Sequence, residues 1–483
     1  MSADATPVRL KKEVTLPQLF ALAFGSIIGV GWITVLGFWL SAAGPGGAVL
    51  AFAAAGVVIL LIGLCYAEMA TAIPVAGGEV AYAYQVFGLR ASFVVGWLLV
   101  LGYAGVVVFE VISVGWVLEA LAPALRGPVL YSVAGSDVSL GGLVGGLAGM
   151  AAIAWFNIRG AKTAARFQEL LIAGLFVMTL VFVGFAFARG DGANLQPLFA
   201  VDASGLVLPG ILAVFVTAPF WFSGFDVIPQ AMGERSGTAS LKLVPWVLAL
   251  SIGAACLFYI AIIMAASMSL ERAALLSAEL PTADALAAAV GSDAGGKIVL
   301  TAGLLGLISS WNAFTYGASR VVFALGRAGI IFRPFGTVHA THKTPAKAIL
   351  FVSALGFAGA FFGKAALMPV VESGALAFAC VFLAVCFCAI RFRNHATGVS
   401  ASFRTPGGAG VRYLAALLAL FIVLYAFYSP YQRTEGVPVE WIIFAGWLMF
   451  GLVLYVAGAA ARNALSPEAR RRLLYTDIED LQR

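Results

Sequence analysis

Two carboxylic acids, Glu110 and Asp226, stand inside apolar stretches of this 483-residue chain. An ionisable side chain at membrane depth is costly, so it is kept to hold a cation, to carry a proton, or to tie helices together as a hydrogen-bonded structural group. Tyr103 precedes Glu110 by seven residues, which places both on one helical face. A second chemistry lies in two clusters of helix-weakening residues, Gly25-Ser-Ile-Ile-Gly29-Val-Gly31 and Pro219-Phe-Trp-Phe-Ser-Gly224-Phe. Gly costs about 1 kcal/mol in a helix interior and Pro about 3, so the backbone can unwind at both places. Unwound backbone at membrane depth survives only where it lines a cavity. Amides freed between Gly25 and Gly31, through Ser26, Ile27, Ile28, Gly29 and Val30, would form a half-helix N-terminus whose partial positive charge suits a carboxylate. Carbonyls of Phe222 and Ser223 would take an ammonium, and an α-amino acid carries both groups. Either glycine run alone also reads as a device for close helix packing. Both together, at corresponding places in two halves of the chain, favour a binding site between them.

The elements that must position these residues are membrane helices. At 62% hydrophobic and 11% charged, the composition is far from the roughly 45–50% and 25% of a soluble domain. Twelve apolar runs are long enough to span: Leu16–Ala43, Gly47–Pro74, Ala91–Leu121, Leu140–Ile158, Phe167–Ala188, Leu206–Gln230, Pro245–Met268, Ile298–Leu325, Ala346–Phe362, Leu367–Ile390, Tyr413–Tyr428 and Trp441–Ala461. The fold class is therefore all-α and polytopic, with the first and sixth helices discontinuous. The runs are continuous and do not alternate with period two, which argues against an outer-membrane barrel. Sorting the 29 Lys and Arg by connector puts 23 on the side of the N-terminus and 6 on the other, so both termini are expected in the cytoplasm of a multi-pass protein of the cell (inner or plasma) membrane.

Several function classes fall away. The net charge of +6 comes from short basic clusters between apolar runs, which is not a nucleic-acid surface. Cys65, Cys256, Cys380, Cys386 and Cys388 all sit in apolar stretches, while His339, His342 and His395 fall in connectors, so no metal-ligand spacing arises. Nothing resembles a nucleophile paired with a base, and an intramembrane enzyme is not indicated. Residues 1–15 lack the apolar core of a signal peptide and read as a tail. Glu68, near the end of the second run, reads as a loop anchor.

Further fragments fall in a shared order: Cys65-Tyr-Ala-Glu68, Pro74-Val-Ala-Gly77-Gly78-Glu79, Phe87-Gly88, Asn157-Ile-Arg-Gly160 with Gln168, Phe222-Ser-Gly224-Phe-Asp226, Ala318-Ser-Arg320, Gly326-Arg327-Ala-Gly329 and Thr344-Pro345. With the glycine run of the first segment, the chain resembles the amino acid/polyamine/organocation permease superfamily. That resemblance implies a LeuT-type fold of five plus five inverted repeats, 16–188 and 206–390, followed by two helices in 413–461 and a tail over 462–483. It also implies secondary transport by alternating access. Phe220 falls where relatives place a gating ring over the substrate, with Trp221 beside it, and Trp32 stands where relatives usually have a smaller apolar residue or Phe.

Two departures bear on mechanism. Many relatives carry a Lys seven residues beyond the position of Gln168, where its ammonium replaces a sodium ion; here that residue is Leu175. Ser309 and Ser310, with a segment-1 carbonyl such as that of Ile28, are then candidate oxygen ligands for a coupling cation, sodium or proton. Gly102 stands where some cationic amino acid carriers have Glu. The sequence thus leads to a permease with no cofactor and no metal, whose partners are the bilayer and a small substrate. A neutral amino acid ranks first and a small amine second. An amine or polyamine permease, an obligate exchanger of the same fold and a non-transporting amino acid sensor stand as alternatives. Oligomeric state is not legible.

Overall fold

The computed structural model describes residues 10–394, 401–433 and 436–476; His395 and the outer parts of both tails lie outside the described residues. The Gln18 side chain accepts the Thr15 amide at 3.0 Å and so opens the first helix, α1 (Leu16–Ile27). After a gap come α2 (Gly31–Thr34) and α3 (Leu36–Ala72). The last is bent at Gly44, whose φ of +72° precedes Pro45, so it joins the end of the first expected run to most of the second. Then follow α4 (Gly78–Phe87), α5 (Leu89–Leu121), a hairpin of β1 (Val129–Val133) and β2 (Ser136–Ser139), α6 (Leu140–Arg159) and α7 (Ala161–Arg189). The hairpin adds a small antiparallel pair that the all-α expectation omits.

The sixth expected run is broken into α8 (Leu208–Phe215), α9 (Ala218–Trp221) and α10 (Val227–Ala231). The chain continues through α11 (Val244–Ser269), α12 (Arg272–Ser277), α13 (Pro281–Val290), α14 (Asp293–Arg327), α15 (Ala346–Gly359), α16 (Leu367–Asn394), α17 (Gly408–Arg433), α18 (Val439–Ala457), α19 (Ala459–Asn463) and α20 (Pro467–Leu474). Among the described residues ten helical stretches are long and apolar enough to cross a membrane. The sixth and ninth expected runs appear as shorter apolar pieces, Leu208–Trp221 and Ala346–Gly359.

Burial sorts the helices into an inner and an outer set. The most apolar windows of the α1–α2 stretch and of α5 are 78% buried, whereas that of α18 is 6% buried. The outer helices expose Leu170, Trp246, Leu257, Leu424 and Val453, an apolar exterior whose solvent is lipid. α18 is fastened to α5 by reciprocal hydrogen bonds, Trp97 Nε1 to the Trp447 carbonyl (2.8 Å) and Trp447 Nε1 to the Trp97 carbonyl (2.9 Å). The two indoles stack at 4.6 Å.

Two carboxylates at helix ends are matched by arginines. Glu68 accepts the Thr405 amide (3.0 Å) and hydroxyl (2.5 Å), is hydrogen-bonded by Arg393, and has Arg412 at 3.6 Å, so it anchors the strand of chain leading into α17. Glu234 and Arg320 form a two-pronged pair, Nε to Oε2 at 3.1 Å and Nη2 to Oε1 at 3.0 Å, to which Tyr316 adds its hydroxyl. The Glu234 carbonyl also accepts the amides of Glu13 and Val14, which ties the residues before α1 to the end of the broken sixth run. Arg320 is wholly buried, deeper than its place near a helix end suggests, yet its charge is neutralised.

Removing one member of such a pair leaves the other buried and uncompensated, which costs roughly 3–5 kcal/mol. Arg320→Met should therefore lower the thermal unfolding midpoint of the detergent-purified protein substantially, and adding Glu234→Gln should recover much of the loss. An unchanged midpoint in the single variant would mean that water reaches this pair.

Candidate functional site

The final helical bond of α1 runs from the Ile28 amide to the Phe24 carbonyl at 3.0 Å, and helix resumes at Gly31. Between them the amides of Gly29, Val30 and Gly31 find no backbone acceptor among the described residues. In the sixth run, residues 222–226 separate α9 from α10, and Gly224 takes a φ of +124° that side chains disfavour. The Asp226 carboxylate accepts the Gly224 amide at 2.6 Å and so closes this turn on itself.

The two interruptions face each other. The Ser26 hydroxyl sits 2.6 Å from the Leu22 carbonyl in its own helix and 3.0 Å from the Gly224 carbonyl across the gap. A Cβ on Gly224 would stand 2.5 Å from Ser26 Oγ and 2.8 Å from the Ile27 nitrogen, so only glycine permits the approach. From α11 the Tyr259 hydroxyl reaches the Ile27 carbonyl (2.9 Å) and the Trp221 carbonyl (3.2 Å), sharing one proton between the two breaks.

Between the breaks lies a narrow cavity lined by Ser26, Ile27, Gly29, Val30, Gly31, Val106, Phe109, Glu110, Phe220, Trp221, Tyr259, Ser310 and Phe314. Its free volume of about 20 Å³ holds about one water molecule, so the walls must part to admit a ligand. Its aromatic wall is continuous, Phe109 to Phe220 at 5.9 Å and Phe220 to Trp221 at 5.1 Å, and Trp39, outside the lining, packs on Trp221 at 5.5 Å. The Trp221 ring lies where a Cβ on Gly31 would fall, and its indole N–H is held by Thr217 Oγ1 at 2.8 Å.

Glu110 is the carboxyl group of this cavity. Its Oε1 accepts the Ser310 hydroxyl at 2.6 Å, the Val30 amide faces the same carboxylate, and Oε2 has no partner among the described residues. A Cβ on Gly29 would collide with Glu110 Oε1, so glycine there is what allows the carboxylate to reach the break. Glu110 and Tyr259 are the titratable side chains of the lining; it contains no Lys, Arg or His.

Other expected site residues lie elsewhere. Gly25 is helical, not unwound; a Cβ there would run into Gln168 and Ser309, so it serves close packing of α1 on α7 and α14. Gly31 is the first residue of α2, and the unwound stretch of the first run is narrower than the glycine run. Ile28, Phe222, Ser223 and Gly224 flank the cavity without lining it. Trp32 turns away to pack edge-on against Phe258 at 5.5 Å.

Tyr103 shares its helix face with Glu110 but sits about 10 Å along the axis, where its hydroxyl faces Asp226. Asp226 belongs to a separate buried cluster with Glu79, Gln230 and Tyr66. Ser309 and Ser310 also part company. Ser310 serves Glu110, whereas Ser309 donates to the Gly25 carbonyl (3.0 Å) and accepts Gln168 Nε2 (2.6 Å). Gln168 continues to Asn312 (2.9 Å) and that to Asn157 (2.9 Å), a polar chain joining α1, α6, α7 and α14; Leu175, two turns further along α7, is buried.

Sequence reasoning missed Tyr259, Phe109, Val106 and Phe314. Val106 and Phe109 precede Glu110 by four and one residues, and Phe314 follows Ser310 by four, so helical spacing from the two polar residues points to Val106 and Phe314. Tyr259 carries no such signal.

A bundle of apolar helices, two of them unwound opposite one another around a buried cavity, defines a multi-pass membrane permease. The sequence matches the amino acid permease family over residues 14–454, and the chain belongs to that family. It is similar to the methylthioribose transporter of Bacillus subtilis, 26% identical over 94% of this chain and 95% of that one. It is also similar to the branched-chain amino acid permease BcaP of Bacillus subtilis, 27% identical over 94% of each. The human Asc-type amino acid transporter 1 is 26% identical over 71% of this chain and 64% of its own.

Gly29→Leu or Gly224→Leu should abolish ligand binding while leaving monodisperse, folded protein. Gly29→Ala should already put a methyl group where the substrate carboxylate must sit and weaken binding at least tenfold. Ligand-dependent thermal stabilisation measures this, and normal stabilisation in Gly29→Leu would place the ligand elsewhere.

Proposed function

We propose that this chain is a secondary-active permease that moves a neutral amino acid across the cell membrane by alternating access, with small amines as the second substrate class. The observation that carries the reading is the pair of facing breaks around a cavity with an aromatic wall and no basic side chain. A zwitterion matches the amides of the first break on one side and, once the walls part, the carbonyl groups of Phe222 and Ser223 that flank the cavity on the other. The aromatic wall suits an apolar side chain. Glutamate or aspartate would add a negative charge beside Glu110 with no cation to balance it, and Coulomb repulsion is strong in such a medium.

In this reading the two short apolar pieces join the ten longer helices as twelve spans, with 16–188 and 206–390 as inverted repeats and 413–461 as two added helices. Both termini then face the cytoplasm, following the excess of Lys and Arg on that side. Transport is coupled to an inward cation gradient, proton or sodium, because Leu175 supplies no built-in charge. The obligate exchanger is the alternative.

A thermal-shift screen of purified protein against the common amino acids, polyamines and methylthioribose tests the substrate class, since a ligand that binds only the native state raises its stability. Neutral amino acids should give the largest shifts and acidic ones none. Glutamate, aspartate or methylthioribose at the head of the ranking would overturn the assignment. Uptake into vesicles under imposed sodium or pH gradients then separates symport from exchange, which would require preloaded substrate and no gradient.

A further inference from the structure

An amide of the segment-1 break, that of Val30, already faces a carboxylate, and it belongs to the protein. Glu110 lies against Val30 and Gly29 with Ser310 holding its Oε1, so the protein's own anion stands at the subsite that a substrate carboxylate needs. The second oxygen, Oε2, is buried and unpartnered, leaving the group one bond short of a closed structural network. A side chain kept only to tie helices together would be expected to satisfy both oxygens.

We propose that Glu110 is the internal competitor and proton carrier of the substrate site: a carboxylate-bearing substrate takes the segment-1 amides only when Glu110 has accepted a proton and released them. The proton comes from solvent on the side from which substrate enters and ends on a Glu110 carboxyl oxygen. The neutral acid then donates its new O–H, and the substrate carboxylate inherits the amides. Substrate and proton bind together and leave together, which is coupling by a symport mechanism. This rests on the reading of the site as one for amino acids.

The surroundings contain little else that could take or balance the charge. The α1–α2 break presents Gly29, Val30 and Gly31; α9 presents Phe220 and Trp221; α14 presents Ser310 and Phe314; and α5 itself adds Val106 and Phe109. From α11 comes Tyr259, whose hydroxyl is engaged by the Ile27 and Trp221 carbonyls. Asp226 and Glu79 interact with each other and with Tyr103 and Tyr66. The cavity lining holds no cation to let two carboxylates stay ionised side by side.

Isothermal titration of L-leucine, with L-alanine as the smaller probe, in buffers of different protonation heat counts the protons taken up on binding. Wild type should take up about one proton per substrate, and its apparent affinity should fall about tenfold per unit as pH rises through the range where Glu110 is ionised in the free protein. Glu110→Gln should bind with no proton uptake and an affinity flat in pH, and a proton gradient should no longer drive its uptake. Glu110→Ala, which empties the subsite, is the second variant and should show the same loss of proton uptake. Zero uptake in wild type overturns the proposal even if neither variant folds, as does full uptake retained in Glu110→Gln. A protein that binds no amino acid at any pH overturns the substrate class itself, whereas one that binds amino acids without a proton overturns only the role of Glu110.

Discussion

Main-chain amides and carbonyls cannot stay unpaired in lipid, and this constraint organises the molecule around residues 28–30 and 222–226. Each stretch gives up helical hydrogen bonds at membrane depth, so each must be enclosed by the other helices. The solution is mutual. Ser26 reaches toward the Gly224 carbonyl, Tyr259 bridges Ile27 and Trp221, Asp226 closes the turn at Gly224, and Glu110 meets the Val30 amide. These contacts come from four different stretches of chain. The inner helices carry them and are the more buried, while α17 and α18 lie outside as a largely lipid-facing layer.

Glycine does two different jobs in this arrangement. At Gly224 it supplies a backbone angle that a Cβ would strain, and at Gly25, Gly29 and Gly31 it supplies space into which Gln168, Ser309, Glu110 and Trp221 enter. The unwinding and the close packing, which compete as explanations when the chain is read linearly, are thus both present a few residues apart. Narrow free volume follows from the same packing. Opening for a ligand means separating contacts that are individually weak, which suits the alternation between states of similar energy that we propose for this permease.

The buried acids divide by their partners. Glu234 has Arg320, and Glu68 has Arg393 and Arg412; both stand near helix ends, where a charged pair can lock elements together. Glu110, Glu79 and Asp226 are as deeply buried but have no salt-bridge partner among the described residues, and each keeps an oxygen unpaired. Burial with compensation and burial without it are different physical situations, and only the second leaves a group ready to exchange a proton or a ligand.

Much of this is written in one dimension. Composition determines that the exterior is lipid-facing, long apolar runs determine most of the helices, and clustered Gly and Pro mark where two of them give way, because these properties depend on a residue and its near neighbours. Glu110 stands out for the same local reason, as a charge inside an apolar run. The rest depends on rotation and contact between segments distant in sequence. Neighbouring helical residues point about 100° apart, so Ser309 and Ser310 serve different partners, and residues two turns apart, such as Tyr103 and Glu110, reach different sites. Whether Glu110 or Asp226 lines the cavity, that Trp32 turns away, and that Tyr259 joins the breaks were decided only when α5, α11 and α14 packed around them. No spacing along the chain encodes a contact such as that between Tyr259 and Ile27, 232 residues apart.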